Sequence, residues 1–416
     1  MNLSRSYPAT GLFILVATTV TNYFGLAQNI EYKLLDNFRT SHSPHPEIII
    51  AAIDNKSIQE IGRWPWDRSV HADFINALRN YNPRVVAYDV SFSEKQNDVS
   101  DSAFNFAIGQ ANFPTVLSSQ AILMKGEDRP QSFITPVITS PHIGHVNVPE
   151  NSDGIMRRLP ESLSAEDATF IPLSFKVAEV LSANIDPYLS DDNNLLVDFS
   201  GPAGTFQTIS FTDILNRRTS SELLEDKIIF VGATASDLRD YLYAPVDGGI
   251  LSGVEWHANV LDNILLNRGV KLALAWEYSI LGIILGLIIL LLPLTMKPVR
   301  VAQVYASIAV LLPISSFVLW QSKTAFPFFT NLIGITTIFL IRSSYKWYQT
   351  EVEKRRLHKT IQNRFSPPVI EAIMRDPKLL NLGGERKEVT VLFSDIRNFT
   401  TISESIAPET LSEILH

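Results

Sequence analysis

Four long apolar runs punctuate this chain. Thr10–Ala27 has only threonines, Asn22 and Tyr23 as polar interruptions, and Trp276–Leu292, Val301–Trp320 and Ala325–Ile341 are apolar over most of their length. Each run is about 17–20 residues, the length a helix needs to cross a ~30 Å hydrocarbon core. The pattern predicts membrane helices at 10–27, 276–293, 301–320 and 325–341. The first run has a second reading, a signal peptide that closes on Gly25-Leu26-Ala27 behind Arg5; the length of the run favours a retained anchor. Pro293, Pro313 and Pro327 fall near run ends or within the third run and read as kinks or terminations. No run carries Asp, Glu, Lys or Arg at its middle, which argues against an ion- or proton-coupled transporter.

Between the first two runs the period changes. Glu47–Asp54, Arg84–Asp89, Phe113–Leu117 and Lys227–Gly232 are short continuous apolar runs, and the first two close on an acid. Ser69–Asn80 and Gly253–Leu266 have helical spacing. Continuous apolar strands separated by helices predict a buried, mostly parallel sheet. Asp54 and Asp89 would then stand at the carboxyl edge of the sheet, where open α/β folds bind ligands; capping of the following turn or helix is the favoured reading of both. His71 and His257 fall on the two helices and read as packing or surface residues.

Past the fourth run, residues 343–365 lack Gly and Pro and are rich in Lys, Arg, Glu and Gln, so the helix is predicted to continue. Val352, Leu357, Ile361 and Phe365 form a ragged apolar stripe, read as a dimer contact or as one side of a solvated linker. Pro367-Pro368 ends the pattern. A short helix over Val369–Arg375, a turn at Gly383-Gly384, a strand over Glu388–Asp395 and a helix over Ser403–Leu415 are predicted after it.

Charge fixes an orientation. Arg5, Lys297, Arg300, Arg342, Lys346, Lys354, Arg355 and Arg356 all fall on one side of the four runs, and the opposite loop holds only Lys323. By the positive-inside rule that side is cytoplasmic, with 28–275 outside and 342–416 inside. Trp276, Trp320 and Trp347 near the run ends suit the interface. The net charge of −8 is uneven: residues 28–275 carry 19 Lys+Arg and 32 Asp+Glu, net −13, and the remainder carries 16 and 11, net +5. An acidic outer segment makes a nucleic-acid surface there a poor expectation. The chain has no cysteine, which excludes disulfides, thiolate nucleophiles and Cys-bound metals.

Two stretches resemble known families. Trp64-Pro65-Trp66-Asp67-Arg68, Asp153-Gly154-Ile155-Met156-Arg157-Arg158, Val231-Gly232-Ala233-Thr234, Asp240, Pro245 and Gly253-Val254-Glu255-Trp256-His257-Ala258 occur in the order seen in the second type of CHASE domain. That is an extracellular sensing module of bacterial cyclases, kinases and phosphodiesterases, and the likeness covers roughly 30–270. It implies a sensor of an unknown extracytoplasmic ligand and transfers no binding residues. Trp64-Pro65-Trp66 reads physically as a rigid apolar corner that packs a helix onto the sheet.

Arg364-Phe365-Ser366-Pro367, Asp376-Pro377 and the continuous stretch from Leu382 through Glu388-Val389-Thr390-Val391-Leu392-Phe393-Ser394-Asp395 to Thr400 resemble the opening of class III adenylate/guanylate cyclase domains. By pattern alone a strand, an acid and a turn before a helix is a weak metal or phosphate signal, and Asp395 could equally cap the helix. The resemblance implies more. Asp395 would be the catalytic ligand of two metal ions, Mg2+ or Mn2+, and Ile396 would lend its carbonyl to one. The turn at Asn398, Phe399 and Thr400 would cradle the nucleotide phosphates. Many relatives have Gly at position 398; Asn tolerates left-handed backbone better than most residues.

The expected architecture is therefore multidomain. Residues 1–9 form a cytoplasmic N-terminus, 28–275 an α/β extracytoplasmic CHASE-type domain, 342–382 a cytoplasmic signalling helix and linker, and 383–416 the start of an α/β, ferredoxin-like cyclase domain. Four transmembrane helices join them. The implied protein is a homodimeric receptor-type adenylate cyclase of the bacterial inner membrane, converting ATP to 3′,5′-cyclic AMP and diphosphate. The resemblance also implies that the chain stops early in the catalytic domain and is inactive by itself. A guanylate cyclase, or a sensor with a catalytically inactive cyclase-like dimerisation module, are the alternatives.

Overall fold

The computed structural model describes residues 3–122, 130–165, 168–185, 189, 193–362, 388 and 390–415. They divide into two compact units, Met1–Lys346 and Trp347–His416. The first opens on α1 (Leu3–Tyr23) and α2 (Gln28–Asp36), two helices bent by 73° at the intervening turn. Gly25 takes φ +62 there, a conformation that costs glycine nothing. The helix predicted over 10–27 therefore starts earlier and stops before residue 24.

An α/β domain follows. Its strands are β1 (Ile48–Ile53), β2 (Val85–Asp89), β3 (Thr115–Ile122), β4 (Ser132–Ile134) and β5 (His142–His145). The ribbons β6 (Arg158–Pro160) with β9 (Asn194–Leu196), and β7 (Leu163–Ser164) with β8 (Thr169–Phe170), lie apart from the sheet. Then come β10 (Gln207–Ser210), β11 (Ile228–Ala233), β12 (Tyr241–Tyr243) and β13 (Ile250–Ser252). The sheet order is β10-β1-β11-β2-β3-β4, with β5 also on β3, and all pairings but β3 with β4 are parallel.

Continuous apolar strands need both faces covered, and both are. Ile48, Ile50 and Ala52 of β1 face a core shared with α6 (Leu173–Val180) and α8 (Gly253–Leu265). Ile49, Ala51 and Ile53 face the opposite core, which is filled from α4 (Arg68–Leu78), α5 (Asp98–Gly109) and α7 (Phe211–Leu215). All six side chains are buried, and each of the four isoleucines is worth roughly 1.5–3 kcal/mol relative to exposure. The predicted strands and the helices at 69–80 and 253–266 form within one or two residues, except that the third strand is β3, Thr115–Ile122, rather than 113–117. Trp66 is buried against Phe211 of α7, and its Nε1 donates to the Gly62 carbonyl at 2.8 Å, so this residue of the Trp-Pro-Trp corner joins the core between the sheet, α4 and α7.

β14 (Lys271–Leu272) leads into α9 (Ala275–Leu291) and α10 (Pro298–Gln321). β15 (Thr324–Ala325) pairs in parallel with β14. Residues 324–325, expected at the head of a helix, are therefore strand, and α11 starts only at Phe329 and runs unbroken to Gln362. α1, α9 and α11 share an apolar cluster around Leu15, Ile289 and Ile338. Among the described residues α10 alone combines the length and apolarity to cross a membrane; α1 with α2 reaches that mark only as the bent pair. This is fewer than the four expected. α9 has 17 residues, about 25 Å at 1.5 Å per residue, and α11 turns polar from Arg342 onward.

In the second unit, Asn398 stands at φ +63, ψ +28 and opens α12 (Phe399–Ser405); α13 (Pro408–Leu415) follows. The helix expected over 403–415 is thus two helices. Pro408, which lacks an N–H and suits a first turn, marks the break. Described residues within 390–396 form no ladder, and Val391, Leu392 and Phe393 are exposed, so the strand expected over 388–395 is not formed here. An extended segment becomes a strand only beside a partner, and none lies among the described residues. The expected helix at 369–375, the turn at 383–384 and Phe365 lie outside the described residues.

Candidate functional site

The carboxyl edge of the sheet separates the two acids predicted there. Asp54 is an N-cap. Its Oδ1 accepts from the Ser57 amide at 2.8 Å, the Ser57 hydroxyl at 2.7 Å and the Ser210 hydroxyl at 2.8 Å, tying α3 (Asn55–Ile61) to β10. Asp89 faces a second carboxylate. A methyl on Gly253 would lie 3.0 Å from an oxygen of Asp89 and 3.0 Å from one of Asp240, so both acids converge on the first turn of α8. Burial, and then the charge of Asp240, push Asp89 well above the usual carboxylate range; burial also raises Asp240. Two charges at this place are disfavoured, so the neutral form of Asp89 is the favoured one.

His71 and His257 are core residues. His71 sits among Trp66, Tyr88, Phe92, Phe104 and Phe211, and burial lowers it to about 3. Burial lowers His257 to about 4. His145 is held at about 3 by burial and then by the charge of His257.

The densest charged arrangement lies where α2 meets the domain. Arg157, fully buried, donates from Nε to Asp36 at 2.9 Å and from both terminal nitrogens to Asp153 at 2.9 and 3.0 Å. Its guanidinium also lies 5.7 Å from the Tyr32 ring centroid. Gly154, at φ +81, gives the turn that sets Asp153 opposite Arg157. Burial alone would raise Asp153, but hydrogen bonds and charge from Arg157 hold it below its ordinary value; burial opposes and Asp153 and Asp36 reverse the shift on Arg157, which rises.

Asp36 also takes Arg39 at 3.1 Å. The Arg39 guanidinium lies 5.4 Å from the Phe199 centroid and 5.2 Å from that of Trp320 at the end of α10. Asp198, 5% exposed, has Arg39, His42 and Lys323 at 3.9, 3.8 and 3.5 Å. One ionic network thus joins α2, the Asp-Gly-Ile-Met-Arg-Arg stretch, the end of β9 and the α10–α11 connection.

α2 makes a second tie. Glu31, 5% exposed, accepts from the amides of Phe328 and Phe329 at 3.0 Å each, from the Thr330 amide at 2.7 Å and from the Thr330 hydroxyl at 2.8 Å. A helix leaves its first amides without intrahelical acceptors and carries partial positive charge there. A buried carboxylate from a residue 297–299 positions away in sequence supplies both needs of α11. Beside it, Asn22 of α1 donates to Asn331 at 2.9 Å, and Asn331 donates to the Tyr278 carbonyl of α9 at 2.7 Å. Gly282 permits this approach, since a Cβ there would run into the Asn331 amide. The sequence pattern had marked none of Glu31, Asp36, Arg39 or Asp198; the signal available was a charged, mixed stretch directly after an apolar run.

In the second unit Asp395 is exposed and its Oδ1 accepts from the Ile396 amide at 2.9 Å. Phe399 and Thr400 begin α12, with Asn398 at its cap. The Asp395 carboxylate and Ile396 carbonyl are hard donors of the type Mg2+ and Mn2+ take, but such ions take about six ligands. Among the described residues no group of three or more His, Asp or Glu gathers at one point. These residues alone do not make a two-ion site.

No curated protein and no solved structure matches this chain. One family model does, the CHASE2 domain, over residues 10–293. The match is wider than the 30–270 expected from the motifs. It takes in α1 from residue 10 on, the whole α/β domain with Arg157 and its partners Asp36 and Asp153, and α9. The chain belongs to the CHASE2 family of extracellular sensor domains.

Proposed function

We propose that this chain is the sensing and transmitting part of a multi-pass membrane receptor whose output is a class III adenylate cyclase. In this reading α1, α9, α10 and α11 are four membrane helices of the bacterial inner membrane. The α/β domain lies outside and the helix beyond Arg342 carries the signal inward to a homodimeric output domain. The observation that carries the transmitting role is Glu31. It couples α2, fixed to the sensor domain through Asp36, directly to the start of α11. A shift of the sensor relative to the membrane then moves the helix that enters the cytoplasm. The shared packing of α1, α9 and α11, and the basic residues at one end of all the apolar runs, support the four-span arrangement.

The enzymatic output rests on the residue pattern from Leu382 to Thr400. ATP is the proposed substrate, and 3′,5′-cyclic AMP and diphosphate the products, with Asp395 as the residue on which activity depends. The test is cyclic nucleotide formation by the full-length protein in membranes. Cyclic AMP from the parent and none from Asp395→Ala supports the reading. Cyclic GMP in its place moves the substrate to GTP, and equal product from the Ala variant removes Asp395 from the site.

A further inference from the structure

The exposed face of α2 has no role in the ties described above. Its inner face carries Tyr32 and Leu35, packed with Leu196, Val270, Trp320 and Ala325, and Glu31. On the outer side and at the elbow leading into it, Tyr23 is 73%, Phe24 69%, Leu26 73% and Ile30 48% exposed, and Trp276 at the head of α9 is 59% exposed. Lys33, three residues after Ile30, is exposed too.

The level at which these side chains lie is fixed by hydrogen bonds. Asn22 at the end of α1 bonds Asn331 near the start of α11, Asn331 bonds Tyr278 near the start of α9, and Glu31 of α2 bonds the first amides of α11. The elbow therefore stands at the plane where the apolar helices end. α2 turns away from α1 by 73° there. Aromatic rings at such a plane, exposed leucine and isoleucine side chains beside them and a lysine whose stem can lie along apolar surface are what a bilayer boundary accommodates.

We propose that the α1–α2 elbow and the first turn of α2 lie in the membrane surface, with Leu26 of the elbow and Ile30 of α2, beside Tyr23 and Phe24, in the headgroup and upper acyl region of the outer leaflet. The occupant of this face is lipid. Trp276 and Ile280 on α9 are exposed as well, on a helix that a bilayer surrounds if α9 is a span. This inference rests on the four-span reading. Its consequence is that α2 touches lipid on one side and holds the first turn of α11 on the other, so changes in the outer leaflet reach the same lever as changes in the sensor domain.

The absence of cysteine makes the test direct. Single variants Leu26→Cys, Ile30→Cys, Val310→Cys and Val99→Cys of the full chain are spin-labelled in phospholipid bilayers. Collision rates with oxygen, enriched in lipid, and with a water-soluble nickel chelate are then compared. Val310 lies on an exposed face of α10 and Val99 on an exposed face of α5. The expected oxygen-to-nickel ratio is several-fold higher at 26 and 30 than at 99, and is highest at 310. A high ratio at 310 with values at 26 and 30 equal to that at 99 puts α2 in water and overturns the proposal alone. Low access to both reagents at 26 and 30, with dipolar broadening between labels, assigns the face to a second copy and also overturns it. A ratio at 310 equal to that at 99 overturns the four-span reading and the proposal together.

Discussion

Replacing Arg157 by Met removes the guanidinium hydrogen-bonded to Asp153 and leaves it only the more weakly acting charge of Lys33. The Arg157 side chain is 0% exposed and Asp153 7%, so the carboxylate is left in a site that water enters poorly. Removing one partner of such a pair costs about 3–5 kcal/mol, because the remaining charge is uncompensated. Asp36 keeps Arg39 at 3.1 Å, so the loss concentrates on Asp153 and the lower figure applies, about 3 kcal/mol. That corresponds to a rise of roughly 100-fold in the opening constant of the local structure. Hydrogen exchange on the full chain in detergent reads it, over peptides covering 153–160 and α2. The second variant, Arg157→Met with Asp153→Asn, removes the stranded charge and is expected to recover part of the protection. The pH sign agrees: Asp153 is held below its ordinary value, so its contribution is present above the unfolded value near 3.8 and is lost as pH falls through the folded one. The cost of Arg157→Met therefore shrinks in acid. Unchanged exchange in the single variant, or no recovery in the double one, refutes the argument.

His145 and His257 give a second pH dependence. Their folded values, about 3 and about 4, lie below the unfolded value of about 6.5. The unfolded chain binds protons first, so stability falls as pH drops from about 6.5 towards 4. His257→Asn is expected to flatten that fall in denaturation midpoints followed by Trp fluorescence; an equally steep fall contradicts it. Glu31→Gln loses the charged acceptor for the α11 amides, at about 1.5–3 kcal/mol for a hydrogen bond to a charged group. Exchange at 328–332 should accelerate by roughly tenfold or more, with residues 345–355 unaffected. No change at 328–332 would show that Glu31 does not secure that turn.

The sheet was legible in the sequence because its central strands are buried on both faces, and such strands are uninterrupted apolar runs. β10 was not. As an edge strand with the sequence Gln-Thr-Ile-Ser, it has little to distinguish it from a loop. Asp54 and Asp89 looked alike at strand ends. Their difference comes from the neighbours, two hydroxyls at Asp54 and a second carboxylate at Asp89, and the second carboxylate is 151 positions away. Arg157 stood within a recognisable stretch, but its partner Asp36 and the Glu31 clamp depend on contacts made across 121 and about 300 positions. Local periodicity carries no information on such contacts. The apolar runs were plain, yet their helix limits moved where a turn glycine at 25 and the β14–β15 pairing intervened.

The placement of the sensor domain and the far end of α11 on opposite sides of a membrane is the claim on which the rest depends. Single cysteines at Asp237 in the α/β domain and at Arg355 on α11, both exposed, test it in a chain that has no other thiol. In cells with an intact plasma membrane, a membrane-impermeant maleimide is expected to label Asp237→Cys at once. It is expected to label Arg355→Cys only after permeabilisation. Labelling of both before permeabilisation, or of neither, would contradict the account.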